Sequence, residues 1–93
     1  DYVLSTSHAS YGLPETGLGI LPGARGTAEL AARVGLAQAL RLGCTGELVR
    51  GDEALRIGLV QEIHGDAVSC LQRARELSIS LLRRSPTAVA AYK

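Results

Sequence analysis

Residues 12–26 hold five glycines and two prolines, and this density constrains everything the chain can fold into. Glycine carries the largest entropic cost in a helix, and proline removes a backbone donor and clashes with the preceding turn. No regular helix can run through Gly12, Pro14, Gly17, Gly19, Pro22, Gly23 and Gly26. The same stretch carries Leu13, Leu18, Ile20 and Leu21, apolar side chains that argue against a disordered linker. An elaborate ordered loop is expected, and long ordered loops in small domains often carry function.

The flanking segments must supply the scaffold. Residues 2–4 form a short β-prone run, residues 5–8 a polar connector, and Ala9-Ser10-Tyr11 predicts a second short strand. Beyond the loop, Thr27 is the expected N-cap, with Glu29 facing the positive end of the helix dipole. Gly35 should divide the helical stretch after Thr27 into two short helices, 27–33 and 36–42, with Gly43 closing the second. Leu48-Val49 reads as extended, and residues 52–56 as one or two helical turns. Gly58 then releases the chain into a strand over residues 59–63. Asp66 starts the longest helix, whose stripe of Ala67, Leu71, Ala74, Ser78 and Leu81 is widened by Leu77 and Leu82. Ser85 before Pro86 predicts an N-cap and first-turn proline, opening a last helix toward Lys93.

Composition sets the limits. At 93 residues the chain is one small domain or a piece of a larger one. With 46% hydrophobic and 20% charged residues it should pack rather than stay disordered. There is no Phe and no Trp, so a core of Leu, Ala, Val and Ile will be thin for this length. A net charge of +1 leaves no electrostatic footprint for nucleic acid or an anionic membrane, and neither is expected as a partner. No apolar run approaches the roughly 18 residues of a span, and no signal peptide is visible. Two cysteines, Cys44 and Cys70, read as reduced thiols in a cytoplasmic setting. The sequence has no Met and opens on the strand-like Asp1-Tyr2-Val3-Leu4, so an excised segment is expected.

Most familiar chemical motifs are absent. Gly17-Leu18-Gly19 meets Pro22 where a dinucleotide fingerprint needs glycine, and Gly23-Ala24-Arg25-Gly26-Thr27 lacks the lysine of a phosphate loop. His8 and His64 lie far apart without ligands at metal-binding spacing, so no metal site is expected. Cys44 and Cys70 read as buried structural thiols. Glu15 differs: it is the only ionisable side chain between His8 and Arg25. Set among Leu13, Leu18 and Leu21, its carboxyl would be partly withdrawn from water, a setting suited to acid/base work. The alternative is a solvated loop carboxylate.

These residues carry a resemblance. The run from Tyr11 through Leu13-Pro14-Glu15, Gly17-Leu18-Gly19 and Leu21-Pro22-Gly23-Ala24-Arg25-Gly26-Thr27 resembles the F-G-x-P-E-x-x-x-G-x-x-P-G-x-G-G-T pattern of the enoyl-CoA hydratase/isomerase (crotonase) family. The similarity continues through Val34-Gly35, Thr45-Gly46-Glu47, residues 53–60 and Ser85-Pro86 to Lys93, covering essentially the whole chain. It is specific for the family and much less so for the reaction.

The resemblance implies an α/β chain, the C-terminal portion of a crotonase-like ββα spiral fold, mostly helical in this segment. Residues 1–64 would belong to the core, with the active-site loop at 11–27. Residues 65–93 would be a truncated C-terminal helical region joining subunits into a homotrimer or hexamer. The implied activity is an enoyl-CoA hydratase, adding water reversibly to a 2-enoyl-CoA thioester, with an enoyl-CoA isomerase or a non-catalytic assembly fragment as alternatives. No cofactor is implied beyond the coenzyme A of the acyl-CoA substrate. Glu15 matches the second of two catalytic glutamates, which helps position water and exchanges a proton with the α-carbon. Gly23 matches the glycine whose backbone N–H lies close to that chemistry. Pro14, Leu18 and Leu21 would shape the acyl pocket. The first glutamate and the enolate-stabilising backbone donors match positions preceding Asp1, so the segment alone is expected to be inactive.

Two departures from the pattern stand out. Arg25 stands where the family usually has Gly, and Ala28-Glu29 replaces Gln-Arg. Arg25 is expected to be a surface side chain pairing with Glu29; the sharper alternative is a guanidinium that binds a carboxylated acyl chain.

Overall fold

The computed structural model describes residues 2–93, a body of 46 × 32 × 19 Å. Strand β1 (Leu4–Thr6) is followed by β2 (Ser10–Tyr11) and a short 3-10 helix (Pro14–Leu18). Helices α1 (Gly26–Val34) and α2 (Leu36–Thr45) come next, then β3 (Val49–Arg50) and α3 (Gly51–Arg56). Strand β4 (Glu62–His64) leads into α4 (Ala67–Leu82) and α5 (Pro86–Tyr92). β1 pairs in parallel with β4, Ser5 opposite Ile63, and β2 pairs antiparallel with β3, Tyr11 opposite Val49. No helix among the described residues is long and apolar enough to cross a membrane.

The core is small. Leu42, Val49, Ala54, Ile57 and Val60 are buried, with Val3, Tyr11, Leu30, Val34, Leu59 and Ile63 packed around them. Every member is aliphatic except Tyr11, as the aromatic-poor composition requires. Leu42 of α2, Val49 of β3 and Ala54 of α3 share this cluster, so it joins the helices and strands that follow the glycine-rich loop.

Several boundaries differ from the sequence expectation. The first strand takes in Ser5 and Thr6 rather than residues 2–4, because a buried serine is tolerated once its hydroxyl has a partner. Ser5 Oγ shares a hydrogen bond with the Tyr11 hydroxyl. The strand expected at 59–63 forms only at Glu62–His64. The amides of Leu59 and Val60 instead donate back to the Ala54 carbonyl at 2.9 and 3.2 Å, closing α3. Helix α1 begins at Gly26, so Arg25 rather than Thr27 sits at the N-cap, and no side chain caps it. Helix α2 continues through Gly43 to Thr45 and ends at Gly46, whose φ of 67° takes the left-handed conformation that glycine adopts without a steric penalty.

Other expectations hold. Asp66 accepts a hydrogen bond from the Ser69 amide at 2.7 Å and caps α4. Ser85 accepts from the Ala88 amide ahead of a proline at the first position of α5. The stripe expected to bury α4 is largely exposed at Leu71, Leu81 and Leu82. The half-buried positions of α4 are Ser69, Cys70, Arg73, Ala74 and Leu77, and the expectation of two buried thiols fails, since Cys70 is only half-buried and Cys44, in the last turn of α2, is exposed. Arg73 donates to both carboxylate oxygens of Glu62 on β4, at 2.9 and 3.1 Å, so this helix is tethered by an ion pair as well as by packing.

Candidate active site

The glycine- and proline-rich segment is ordered in two parts. Pro14 starts a single 3-10 turn because its ring presets φ near the helical value and its missing amide costs nothing at a first-turn position. The turn stops at Gly19, whose amide bonds back to the Thr16 carbonyl. The second part, Gly23-Ala24-Arg25-Gly26, turns tightly into α1, with the Gly26 amide 2.8 Å from the Gly23 carbonyl. Ala24 and Arg25 both have positive φ, 49° and 64°, a region that costs L-residues roughly 1–2 kcal/mol each. Such strain persists only where surrounding structure enforces it.

Glu15 lies in the 3-10 turn, half-buried, and its Oε2 is shielded from solvent without accepting a hydrogen bond. A carboxylate oxygen so placed costs free energy unless something supplies a proton or a donor. It is the one buried side-chain oxygen or nitrogen among the described residues with no hydrogen-bond partner. The solvated-carboxylate alternative therefore does not describe this oxygen.

The other expected site residues are less gathered. Leu18 and Leu21 are 74% and 78% exposed, so they do not enclose Glu15 within this chain. Of the loop's apolar side chains, Leu13 is half-buried while Leu18, Ile20 and Leu21 stay exposed. Pro14 and Gly23 are also exposed. Leu21 lines a cleft of about 250 Å³ with Leu13, Thr16, Pro22, Leu30 and Leu40. A second cleft of about 410 Å³ lies along Tyr11, Gly12, Leu13, Gly26, Leu30 and Arg33. Glu15 lines neither of them.

Beneath the turn lies support that sequence reasoning missed. Thr16 Oγ1 donates to the Gly43 carbonyl in α2 at 2.7 Å. Arg41 of α2 donates to Glu47 and, at 2.9 Å, to Glu53. Hydrogen bonds from Arg56 hold the Glu53 carboxyl below the usual carboxylate range against the opposing effect of burial, and Arg41 acts in the same sense. Alternating charge over residues 41–56 was the available sequence signal, but a charge pattern does not reveal which pairs meet. Arg25 is 81% exposed and lies 3.1 Å from Glu29, one turn along α1, so the surface pairing expected for it is what forms. Among the described residues no group of three or more His, Cys, Asp or Glu could hold a metal.

An α/β chain, mostly helical, with these small sheets and helices in this order, has the crotonase fold. The chain belongs to the enoyl-CoA hydratase/isomerase family, whose model matches residues 1–93. The short-chain-enoyl-CoA hydratase of Clostridium acetobutylicum is 38% identical over 89 residues, covering 96% of this chain and 34% of that protein. The 2,3-dehydroadipyl-CoA hydratase of Escherichia coli is 37% identical over 93 residues, covering 100% of this chain and 36% of that one. A solved structure of Pseudomonas aeruginosa DspI superposes with a TM-score of 0.92 at 35% identity, covering 100% of this chain and 38% of that chain. The chain thus spans about a third of the length of the curated relatives it matches.

Proposed function

We propose that this chain is the C-terminal part of an enoyl-CoA hydratase that adds water across the double bond of a 2-enoyl-CoA. Residues 1–64 complete the catalytic core, and residues 65–93 form the helical region through which a homotrimer or hexamer assembles. The protein works in the cytoplasm without a cofactor other than the coenzyme A of its substrate.

In this reading the water oxygen bonds to the β-carbon while the π pair shifts toward the thioester carbonyl, giving an enolate. Backbone N–H donors elsewhere in the whole protein stabilise that oxygen, where negative charge develops. Glu15 holds the water, takes a proton from it as its oxygen bonds to the β-carbon, and passes a proton to the α-carbon of the enolate; the reverse steps eliminate water. The backbone of Gly23 lies against this chemistry, and Pro14, Leu18 and Leu21 border the acyl chain.

The observation that carries the reading is the Glu15 carboxylate, held in the family's loop with Oε2 shielded and unpartnered. Glu15→Gln keeps the shape but removes the exchangeable proton. In the intact enzyme, hydration of a short 2-enoyl-CoA should fall by about 10²–10⁴-fold with the melting temperature little changed. Turnover at the wild-type rate would remove Glu15 from the mechanism. Retained isomerisation of a 3-enoyl thioester, with no hydration in the wild type, would instead make the protein an isomerase.

A further inference from the structure

The last four carbonyls of any α-helix lack an intrahelical donor and need partners from elsewhere. At the end of α2 these belong to Leu42, Gly43, Cys44 and Thr45. The Gly46 amide serves Leu42 at 2.9 Å. The Gly43 carbonyl is served from outside the helix, by the hydroxyl of Thr16 at 2.7 Å. Thr16 immediately follows Glu15, so one hydrogen bond both serves a carbonyl at the end of α2 and ties down the turn that carries the carboxylate.

The arrangement matters because Glu15 has little else to orient it. Its buried Oε2 accepts no hydrogen bond, so the direction of the carboxylate is inherited from the backbone of its turn. Of the side chains in that turn, Thr16 is the one hydrogen-bonded to another element. The anchor is itself held in place. Arg41, half a turn before Gly43, reaches Glu47 and Glu53, and Arg56 grips both oxygens of Glu53 at 2.7 Å. Gly46 lies beside the same turn, where a Cβ would be in ordinary van der Waals contact with the Pro14 Cα at 3.5 Å.

We propose that Thr16 is a positioning residue for Glu15, fixing the angle of the carboxylate through its bond to the Gly43 carbonyl. The proposal rests on the reading of Glu15 as the acid/base group. A positioning role predicts a loss in turnover rather than in substrate affinity, because the acyl-CoA contacts themselves are untouched.

The test compares Thr16→Val, Thr16→Ser and Glu15→Gln in the intact enzyme, measuring kcat and KM for hydration of a short 2-enoyl-CoA and the melting temperature. Thr16→Val keeps the branched shape and removes the donor; its kcat should drop by about 3–10-fold with KM within about 2-fold of wild type. Thr16→Ser restores the hydroxyl and should bring kcat back to within about 2-fold of wild type. If valine prevents folding, Thr16→Ala, which adds no bulk, should give the same kcat loss. An unchanged kcat in Thr16→Val, or a loss that serine does not rescue, overturns the positioning role. If Glu15→Gln is inactive while Thr16→Val is normal, only this inference fails. Full turnover in Glu15→Gln would overturn the reading of Glu15 and the inference together.

Discussion

At Gly51 the chain passes so close to itself that a side chain has no room. An added Cβ would lie 2.8 Å from the Ser7 carbonyl oxygen, and the backbone φ is +24°. Backbone atoms cannot rotate aside as a flexible side chain can, so Gly51→Ala must separate the segment after β1 from the start of α3. The expected cost is about 2–4 kcal/mol, combining steric overlap with an unfavourable φ. Chemical denaturation of the variant against wild type measures it, and a cost near zero would mean that the two segments move apart freely. Arg25 makes the opposite case. Its guanidinium is solvent-exposed and paired with Glu29, as expected of a surface side chain. Arg25→Gly in the intact enzyme should change kcat/KM equally on straight-chain and carboxylated enoyl thioesters. A loss confined to the carboxylated substrate would restore the anion-binding alternative.

Among the elements, α4 depends most visibly on charge. Hydrogen bonds from Arg73 hold the Glu62 carboxyl below its ordinary value despite partial burial, and those from Tyr2 and His64 act in the same sense. A depressed carboxylate contributes stability that is complete above its unfolded value, near about 4.3, and is lost as pH falls through the lower folded value. The stability difference between wild type and Glu62→Gln should therefore be full at neutral pH and shrink as the solution is acidified below about pH 4. Denaturation curves at several pH values read this directly. A difference that does not vary with pH would assign the role of Glu62 to packing instead. The N-caps of α4 and α5 were legible in the sequence because a cap is a local bond spanning three residues. The face α4 would bury was not legible, since an ion pair to Glu62, eleven residues back, helps set its orientation.

Across the whole molecule, five buried apolar residues face fourteen large exposed ones among the described residues. Leu18, Ile20 and Leu21 on the loop, Leu36 and Leu40 on α2, and Val68, Leu71, Ile79, Leu81 and Leu82 on α4 remain open to water. Exposed apolar surface on this scale favours association over a soluble monomer. Residues 1–93 produced alone should self-associate with rising concentration, bind a hydrophobic dye, and give no measurable hydration of a short enoyl-CoA. A dye-negative monomer would show that the faces are less sticky than their exposure implies. Measured turnover would show that the segment contains all the chemistry it needs.

The sequence by itself determined the features that depend on neighbours along the chain. Glycine and proline density barred a regular α-helix from running through residues 12–26, capping residues located α4 and α5, and the loop motif pointed to the family and to Glu15. A residue's intrinsic backbone preference, or a bond to a residue three or four positions on, is written in local order. Tertiary structure alone decided the rest. It paired β1 with β4 across nearly sixty residues of chain, moved the last strand to Glu62–His64, and withdrew Glu15 Oε2 from water. It also left Leu18 and Leu21 exposed and brought Thr16 to the Gly43 carbonyl. Those outcomes depend on which surfaces meet in space, and no local preference encodes a meeting between residues distant in the chain.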